Sequence, residues 1–492
     1  MRIQRLEKNA SKRQKPRQNP KKQKKNHELA VITYLFVGLF VLMSGYFVYF
    51  EAVLRPDVIN NPYNSRQETF AERVVRGNIL ASDGTVLART NVAEDGTETR
   101  EYPYGNLFAH VVGYSTMGRT GIESLANFSL LTSNAFIGER ISRELREEKN
   151  MGDSVVTTLD LNLQQTAYDA LGNQKGAVVV LEVKTGRVLA MVSKPDYDPN
   201  RMEEDWELLT REDESESVLY NRASQGLYAP GSTFKIITLL EYMREKKNYE
   251  AFTFDCTGGL TRGDYTISCY NKTVHGEEDL QEAFAKSCNG AFASIGLSLD
   301  KGAFTSTCEG LLFNSELPVA IPYSKSSFAM GSGAGEPEQM MTAIGQGKTV
   351  VSPLHMAMIV SSIGNQGMLM RPYFLDSVET YTGGRVKTYR PSAYKSLMSE
   401  EEAEILKEYM REVVVLGTGR GLNDLGFPVA GKTGTAEYSS DKTKSHAWFA
   451  GFSDTGLEDD IAVCVVVEEM GSSSEYSVPI ARKIFAAWNS GR

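Results

Sequence analysis

From Leu29 to Phe50 the chain runs through 22 residues without a charge, LAVITYLFVGLFVLMSGYFVYF. At about 1.5 Å per residue, a helix of that length crosses a hydrocarbon core of ~30 Å. The chain is therefore predicted to span a membrane here, and the rest must fold on one side or the other. The length and flanks argue against a buried core helix. A secretory signal would show an apolar stretch of only ~7–15 residues and a small-residue cleavage site. Neither is present, and the segment reads as an uncleaved anchor. Before it, Met1 to Asn26 hold eleven Lys or Arg against one acid, so +10 sits there and -19 on the remainder of a chain whose total is -9. By the positive-inside rule the N-terminus is expected in the cytoplasm and everything beyond Glu51 outside. The acidic body lacks the clustered Lys and Arg of a nucleic-acid groove, so no nucleic-acid partner is expected.

The anchor divides the chain into a basic tail (1–28), the span (29–50) and a long remainder that the usual domain sizes divide further. With 41% hydrophobic residues, that remainder has ample material for packed interiors. Arg73 to Arg89 reads as two short β-runs joined by Asp83-Gly84, a dipeptide suited to a tight hairpin. It opens a β-rich pedestal over 51–152, whose Arg119-Thr120-Gly121-Ile122-Glu123 and following charged helix carry no obvious chemistry. A second unit, 153–492, begins with a strand entering a helix near Ser154, then β-rich runs around a Lys184-Thr185-Gly186-Arg187 turn. Its sheet resumes far downstream in His446–Phe452 and Ile461–Glu469, and a final helix is expected from Pro479 to Trp488. Helices fill the middle, one announced by the capping-box pattern Ser399-x-x-Glu402 and closed by Gly417 and Gly419. The fold class is α/β (α+β), and Glu203 to Glu216 reads as a solvated acidic segment. The five cysteines show no C-x-x-C pair and no His spacing suited to zinc, so neither a metal nor a cofactor is expected. Cys256 and Cys269 could pair in an exported domain; the sequence leaves that open.

In NRASQGLYAPGSTFKIITLLEYMREKK, Pro230 and Gly231 end a loop and an amphipathic helix begins at or beside Ser232. Unpaired N–H groups and the positive end of the helix dipole at that position favour negative charge developing at an attacked carbonyl. Lys235 lies three residues on, hence on the same face, and a partly desolvated lysine can take a serine proton. The pair alone is weak, since Ser392/Lys395 and Ser439/Lys442 also fit S-x-x-K. Two further elements follow in order: Ser287-Cys288-Asn289, giving a proton-shuttling hydroxyl and an amide, and Lys432-Thr433-Gly434-Thr435-Ala436-Glu437. In the latter, Gly434 is read as allowing a substrate backbone to approach a strand edge, and Lys432 with the two threonines can hold a carboxylate. Cys288 is expected to point elsewhere. The earlier Lys184-Thr185-Gly186 is read as turn residues. S-x-x-K, S-x-N and K-T-G in that order form the signature of serine β-lactamases and penicillin-binding proteins.

APGSTFK, SCN and GKTGTAE resemble the transpeptidase domain of class B penicillin-binding proteins over roughly Ser154 to Arg492. So do NRA before the nucleophile, GQG with Ser352-Pro353-Leu354 between, and HAWFAGF after. RGNILASDG and GRTGIE resemble that family's N-terminal pedestal. The resemblance implies a mainly antiparallel five-stranded sheet packed by helices, with a cleft between it and a helical lobe. It implies that Ser232 attacks the penultimate D-Ala carbonyl of a peptidoglycan stem peptide while Lys235 takes its proton. It also implies an oxyanion hole from the N–H groups of Ser232 and Thr435, and a proton relay through Ser287. Asn289 would bind the donor amide, and Lys432, Thr433 and Thr435 its carboxylate. An amine of a neighbouring stem peptide would release the acyl-enzyme, and β-lactam antibiotics would mimic the donor. The implied partner is a polytopic glycosyltransferase of the shape, elongation, division and sporulation type. Which of those processes it serves is left open.

Rival functions fit the sequence less well. Gly426 to Thr433 satisfies the phosphate-loop pattern G-x-x-x-x-G-K-[ST], but GTAEYSSDKT after it is poor in helix formers. A Ser-His-Asp hydrolase lacks a G-x-S-x-G elbow, and His446 reads as a sheet residue lining the cleft. A β-lactamase of the same fold has no use for this anchor and pedestal, and a β-lactam sensor usually needs several spans and a cytoplasmic effector, where one span and a 28-residue tail are expected here. A D,D-carboxypeptidase, with water replacing the amine, uses the same residues, and only the long pedestal tilts the reading toward transpeptidation.

Overall fold

The computed structural model describes residues 20–50, 72–211, 216–331, 333–437 and 445–491. Most of the basic tail, the start of the expected pedestal and the Ser439/Lys442 match lie outside these. The chain divides into two units, Met1–Asn64 and Ser65–Arg492. In the first, helix α1 (Pro20–Tyr49) contains the stretch His27–Tyr49, 23 residues with a mean hydropathy of 2.1 and none of it buried by protein. Apolar side chains such as Leu35, Phe40 and Leu42 are exposed on every side. A helix that satisfies its own backbone and turns apolar groups outward all round suits a bilayer.

The second unit opens with the expected hairpin. Strands β1 (Ile79–Leu80) and β2 (Val86–Val92) pair antiparallel around Gly84, whose φ of +87° supplies the left-handed turn residue. Strand β3 (Glu98–Glu101) follows β2. Strand β4 (Ser154–Thr157), read from sequence as the opening of the second domain, pairs parallel with β1 and antiparallel with Leu375–Glu379. A six-stranded sheet thus crosses the boundary expected at 152/153, in the order Arg385–Thr388, Leu375–Glu379, β4, β1, β2, β3. Glu123, in the segment assigned no chemistry, locks this region. Its fully buried carboxylate accepts from Arg76 at 2.7 Å, Arg100 at 2.8 Å and the Tyr102 hydroxyl at 3.1 Å.

A second sheet has five strands, β5 (Gly176–Glu182), β6 (Val188–Lys194), β7 (Val429–Glu437), β8 (Ser445–Ser453) and β9 (Ile461–Val467). Their order is β7-β8-β9-β5-β6, and every neighbouring pair is antiparallel. Both faces are buried, which is why IAVCVVV shows no polar alternation. Ile461, Val463, Val465 and Val467 share one core with Leu163 and Ala167 of helix α2 (Leu161–Leu171). The same core takes in Ile480, Ile484, Phe485 and Trp488 of the C-terminal helix Ser477–Ser490. Ala462, Cys464 and Val466 face the opposite core.

That second core carries the inserted helices. Helix α3 (Lys235–Glu245) runs through it with Ile236, Ile237, Leu239 and Leu240 buried. Helices α4 (Leu280–Ala285) and α5 (Asn289–Ser298) follow, and α6 (Pro353–Gly364) lies under the sheet against β5, β8 and β9. The capping box at Ser399 forms as expected and starts helix Glu400–Val415.

Candidate active site

Ser232 occupies a single 3-10 turn, Gly231–Phe234, that leads directly into α3. It is half-buried, and its N–H is among the first in that turn, with no intrahelical partner. The turn is wedged between two backbones. Gly231 N–H donates to Gly345 C=O at 2.9 Å, and a Cβ on Gly345, whose φ is +78°, would lie 1.9 Å from Gly231 C=O. On the other side, a Cβ on Gly434 would meet Pro230 C=O and Thr233 Cγ2 at 3.0 Å. Gly434 therefore admits the serine-bearing turn, where the sequence reading had it admitting substrate.

Lys235 is fully buried, and its three N–H donors find three acceptors: Ser287 C=O at 2.7 Å, Asn289 Oδ1 at 2.7 Å and Ser287 Oγ at 3.2 Å. Burial pushes its pKa down to about 8, against the opposing pull of Cys288, Cys269 and Glu278. Among the described residues the Ser232 hydroxyl makes no hydrogen bond, so the expected Ser232–Lys235 pair is not closed in this geometry. An ammonium whose donors are all engaged has no lone pair to offer, whereas the neutral amine does.

Ser287 is where the elements converge. It takes a φ of +59° and ends α4, with Cys288 N–H returning to Ala283 C=O and Ser287 N–H to Phe284 C=O. That is a Schellman closure with serine where glycine is usual. Ser287 Oγ accepts from Lys432 Nζ at 2.8 Å as well as from Lys235, which leaves its own O–H free to donate. Asn289 Nδ2 gives one hydrogen to Ser268 C=O at 2.9 Å and keeps the other. Lys432 is fully buried with a pKa well below the usual lysine value, first through desolvation and then through Lys235.

Strand β7 forms one edge of the sheet. With its amide oriented to satisfy both atoms, Gln346 donates to Glu437 C=O at 2.9 Å and accepts from Glu437 N–H at 3.2 Å. Glu437 thus turns its backbone polar groups outward. Thr435, two residues back, turns its own the same way, toward the serine turn. Thr433 and Thr435 are braced from behind by residues the sequence reading missed. Thr418 shares a hydroxyl hydrogen bond with Thr433. Ser473 Oγ donates to Gly434 C=O at 2.6 Å and lies 3.4 Å from Thr435 Oγ1. The only signal for Thr418 was its place in Gly417-Thr418-Gly419, read as a helix stop.

The rival motifs fall apart structurally. Lys395 donates to Gly310 C=O from an exposed strand, Ala393–Ser396. Lys184-Thr185-Gly186 is the β5–β6 turn. The phosphate-loop match runs into a strand, β7, where a helix would be needed. His446 lies on β8 with its ring 5.3 Å from that of Tyr228. Tyr228 and Arg222, of the NRA triplet, both bind the Glu468 carboxylate, at 2.7 and 2.9 Å.

Cys288 points away from the cleft, as expected, and caps α5. It meets Cys269 at 3.8 Å; Cys269 meets Cys256 at 3.6 Å, and Cys256 meets His275 Nδ1 at 3.3 Å. All five cysteines are free thiols. Spacing along the chain did not reveal this cluster, in which four possible metal donors from separate segments come together.

Residues 176–486 match the family described as penicillin binding protein transpeptidase domain, and 76–155 the penicillin binding protein A dimerisation domain. Peptidoglycan D,D-transpeptidase PbpA of Mycolicibacterium smegmatis is 32% identical over 441 residues, covering 84% of this chain and 88% of that protein. The imipenem acyl-enzyme of penicillin-binding protein A from M. tuberculosis superposes with a TM-score of 0.76 at 28% identity, over 86% of this chain and 100% of that one. The D,D-transpeptidase domain of a peptidoglycan glycosyltransferase from Eggerthella lenta gives 0.76 at 31% identity, over 85% and 99%. On sequence, fold and relatives alike, this chain belongs to the class B penicillin-binding proteins.

Proposed function

We propose that this chain is a membrane-anchored peptidoglycan D,D-transpeptidase that acts through Ser232. The observation that carries the reading is the meeting of two buried lysines, Lys235 and Lys432, on the Ser287 hydroxyl beside a serine turn and an outward-facing strand edge. In acylation, Ser232 Oγ bonds to the penultimate D-Ala carbonyl carbon and its proton passes to neutral Lys235 Nζ. The oxyanion is held by the N–H groups of Ser232 and Thr435. Collapse breaks the peptide C–N bond, and Ser287 delivers a proton to the departing D-Ala nitrogen, replenished from Lys235. Asn289 uses its remaining N–H on the donor peptide, and Lys432, Thr433 and Thr435 take its terminal carboxylate. An amine of a second stem peptide then attacks the ester, forming the new amide and returning the proton to Ser232. β-Lactams follow the acylation half and stay bound as acyl-enzymes.

The basic tail (1–28) before the apolar span supports a cytoplasmic N-terminus with the pedestal (51–152) and transpeptidase part (153–492) outside. The span and pedestal would contact a polytopic glycosyltransferase that supplies the glycan strands. The test is labelling of the full-length protein with a fluorescent penicillin. Label should disappear in Ser232→Ala and persist in Ser392→Ala; undiminished labelling of Ser232→Ala would overturn the assignment.

A further inference from the structure

We infer that Cys256, Cys269, His275 and Cys288 form a tetrahedral zinc site built into the back of the Ser287-Cys288-Asn289 element. Their donor atoms all lie within 4.8 Å of one another, and the three cysteines are buried. Zn–S bonds of about 2.3 Å and Zn–N of about 2.0–2.1 Å at tetrahedral angles place neighbouring sulfurs ~3.8 Å apart and sulfur and nitrogen ~3.5 Å apart. The observed neighbours are 3.6 and 3.8 Å between sulfurs and 3.3 Å from sulfur to Nδ1. One ion at about the ordinary bond lengths suits these three neighbours, and the remaining pairs, all within 4.8 Å, would close by up to about 1 Å on binding. Three thiolates and one imidazole form a soft, four-coordinate set, which selects zinc over magnesium or calcium.

The packing around the cluster points the same way. The surrounding core is very small: Cys256, Cys269, Ala283, Cys288 and Ala291, with Phe252 and Phe254 against it. The ligands come from the end of strand Thr253–Cys256, the residue after strand Tyr265–Ser268, the residue before strand Gly276–Asp279, and the N-cap of α5. Such a lobe needs a staple, and a closed site drawing on four segments provides one.

Binding exchanges three thiol protons for one Zn2+, giving three Zn–S bonds and one Zn–N bond with release of three protons. Because Cys288 lies between Ser287 and Asn289, the ion would fix the backbone that presents both side chains to Lys235. This positioning role rests on the function proposed above, whereas the metal site does not.

The test is metal analysis of the full-length protein in detergent, purified without added metal. About one zinc per chain is expected, lost in His275→Ala and Cys256→Ser and retained in Cys308→Ser, whose thiol lies elsewhere in the core. Should the ligand variants fold poorly, the wild-type protein stripped by a chelator and reloaded with Co2+ should show thiolate-to-cobalt charge-transfer absorption. Absence of stoichiometric zinc together with no cobalt spectrum, or a Cys256–Cys269 disulfide in the unreduced protein, would overturn the site. For the positioning role, fluorescent-penicillin labelling should slow at least tenfold on stripping and recover with Zn2+ but not Mg2+. Labelling unchanged on stripping would overturn that role while leaving the metal content as the independent reading.

Discussion

If Lys235 is the base, acylation is a titration. Buried, and with its pKa at about 8, Lys235 is neutral in about one-tenth of molecules at pH 7 and about nine-tenths at pH 9. If the neutral amine takes the Ser232 proton, the second-order rate constant for acylation rises roughly tenfold between those values and levels off above them. The assay is stopped-flow acylation by a chromogenic cephalosporin across pH 6–10, with the full-length protein in detergent. Lys432 sits beside the same hydroxyl and could be mistaken for the titrating group, so a variant must separate them. In Lys432→Met the rise should persist with its midpoint near that of the parent, because burial and not Lys432 sets the Lys235 shift. Were Lys432 itself the titrating group, the rise would vanish. Lys235→Arg, which cannot deprotonate in this range, should lose both the rise and most of the rate. A profile flat from pH 7 to 9, or a rise that survives Lys235→Arg, would refute the assignment of Lys235 as base.

Three further outcomes follow from particular contacts. Ser287→Ala and Ser287→Gly should both lose roughly 10²–10⁴-fold in acylation. The glycine variant should nonetheless be the more stable by about 1 kcal/mol in denaturant titration, because it alone relieves the left-handed backbone. Gly434→Ala should slow acylation by about 10- to 100-fold with little change in Tm, since its Cβ presses the serine turn away from β7 by tenths of an ångström. Glu123→Gln leaves Arg76 and Arg100 buried without their counter-charge and should cost about 3–5 kcal/mol by thermal or chemical denaturation. Burial alone would raise the Glu123 carboxyl, but Arg100 and Arg76 override it and hold it below the ordinary value of 4.5. Its stabilising effect is accordingly present above that value and lost as pH falls through the lower folded-state pKa, which acid denaturation compared with Glu123→Gln would show.

The parts of this molecule that were legible in sequence are those fixed by local pattern. The apolar run of α1, the Asp83-Gly84 hairpin, the capping box at Ser399 and the helical spacing of Ile480, Ile484, Phe485 and Trp488 each follow from neighbours within a few turns. The three motifs were legible because residue type and order carried them. What escaped were contacts between distant segments. Ser154–Thr157 looks like the first strand of a catalytic domain, and only its partners place it in a sheet shared with the pedestal. Gly434 is permissive for either a substrate or the serine turn, and only three-dimensional proximity decides between them. Gln346 mimics a strand partner on the edge of β7 from 91 residues away, with nothing in GQG to announce it.

The S-x-N spacing can now be given a cause. Ser287 must end α4 in a left-handed conformation so that its carbonyl and hydroxyl both turn toward Lys235, and Asn289 must open α5 to bring its amide to the same nitrogen. One residue separates the end of one helix from the start of the next, and it points the other way because its thiol accepts the Ala291 N–H as the cap of α5. That position cannot reach substrate, so its side chain is free to serve the scaffold. A cysteine there, facing Cys269 rather than the cleft, is what allows a structural demand behind the site to be met without altering the chemistry in front of it.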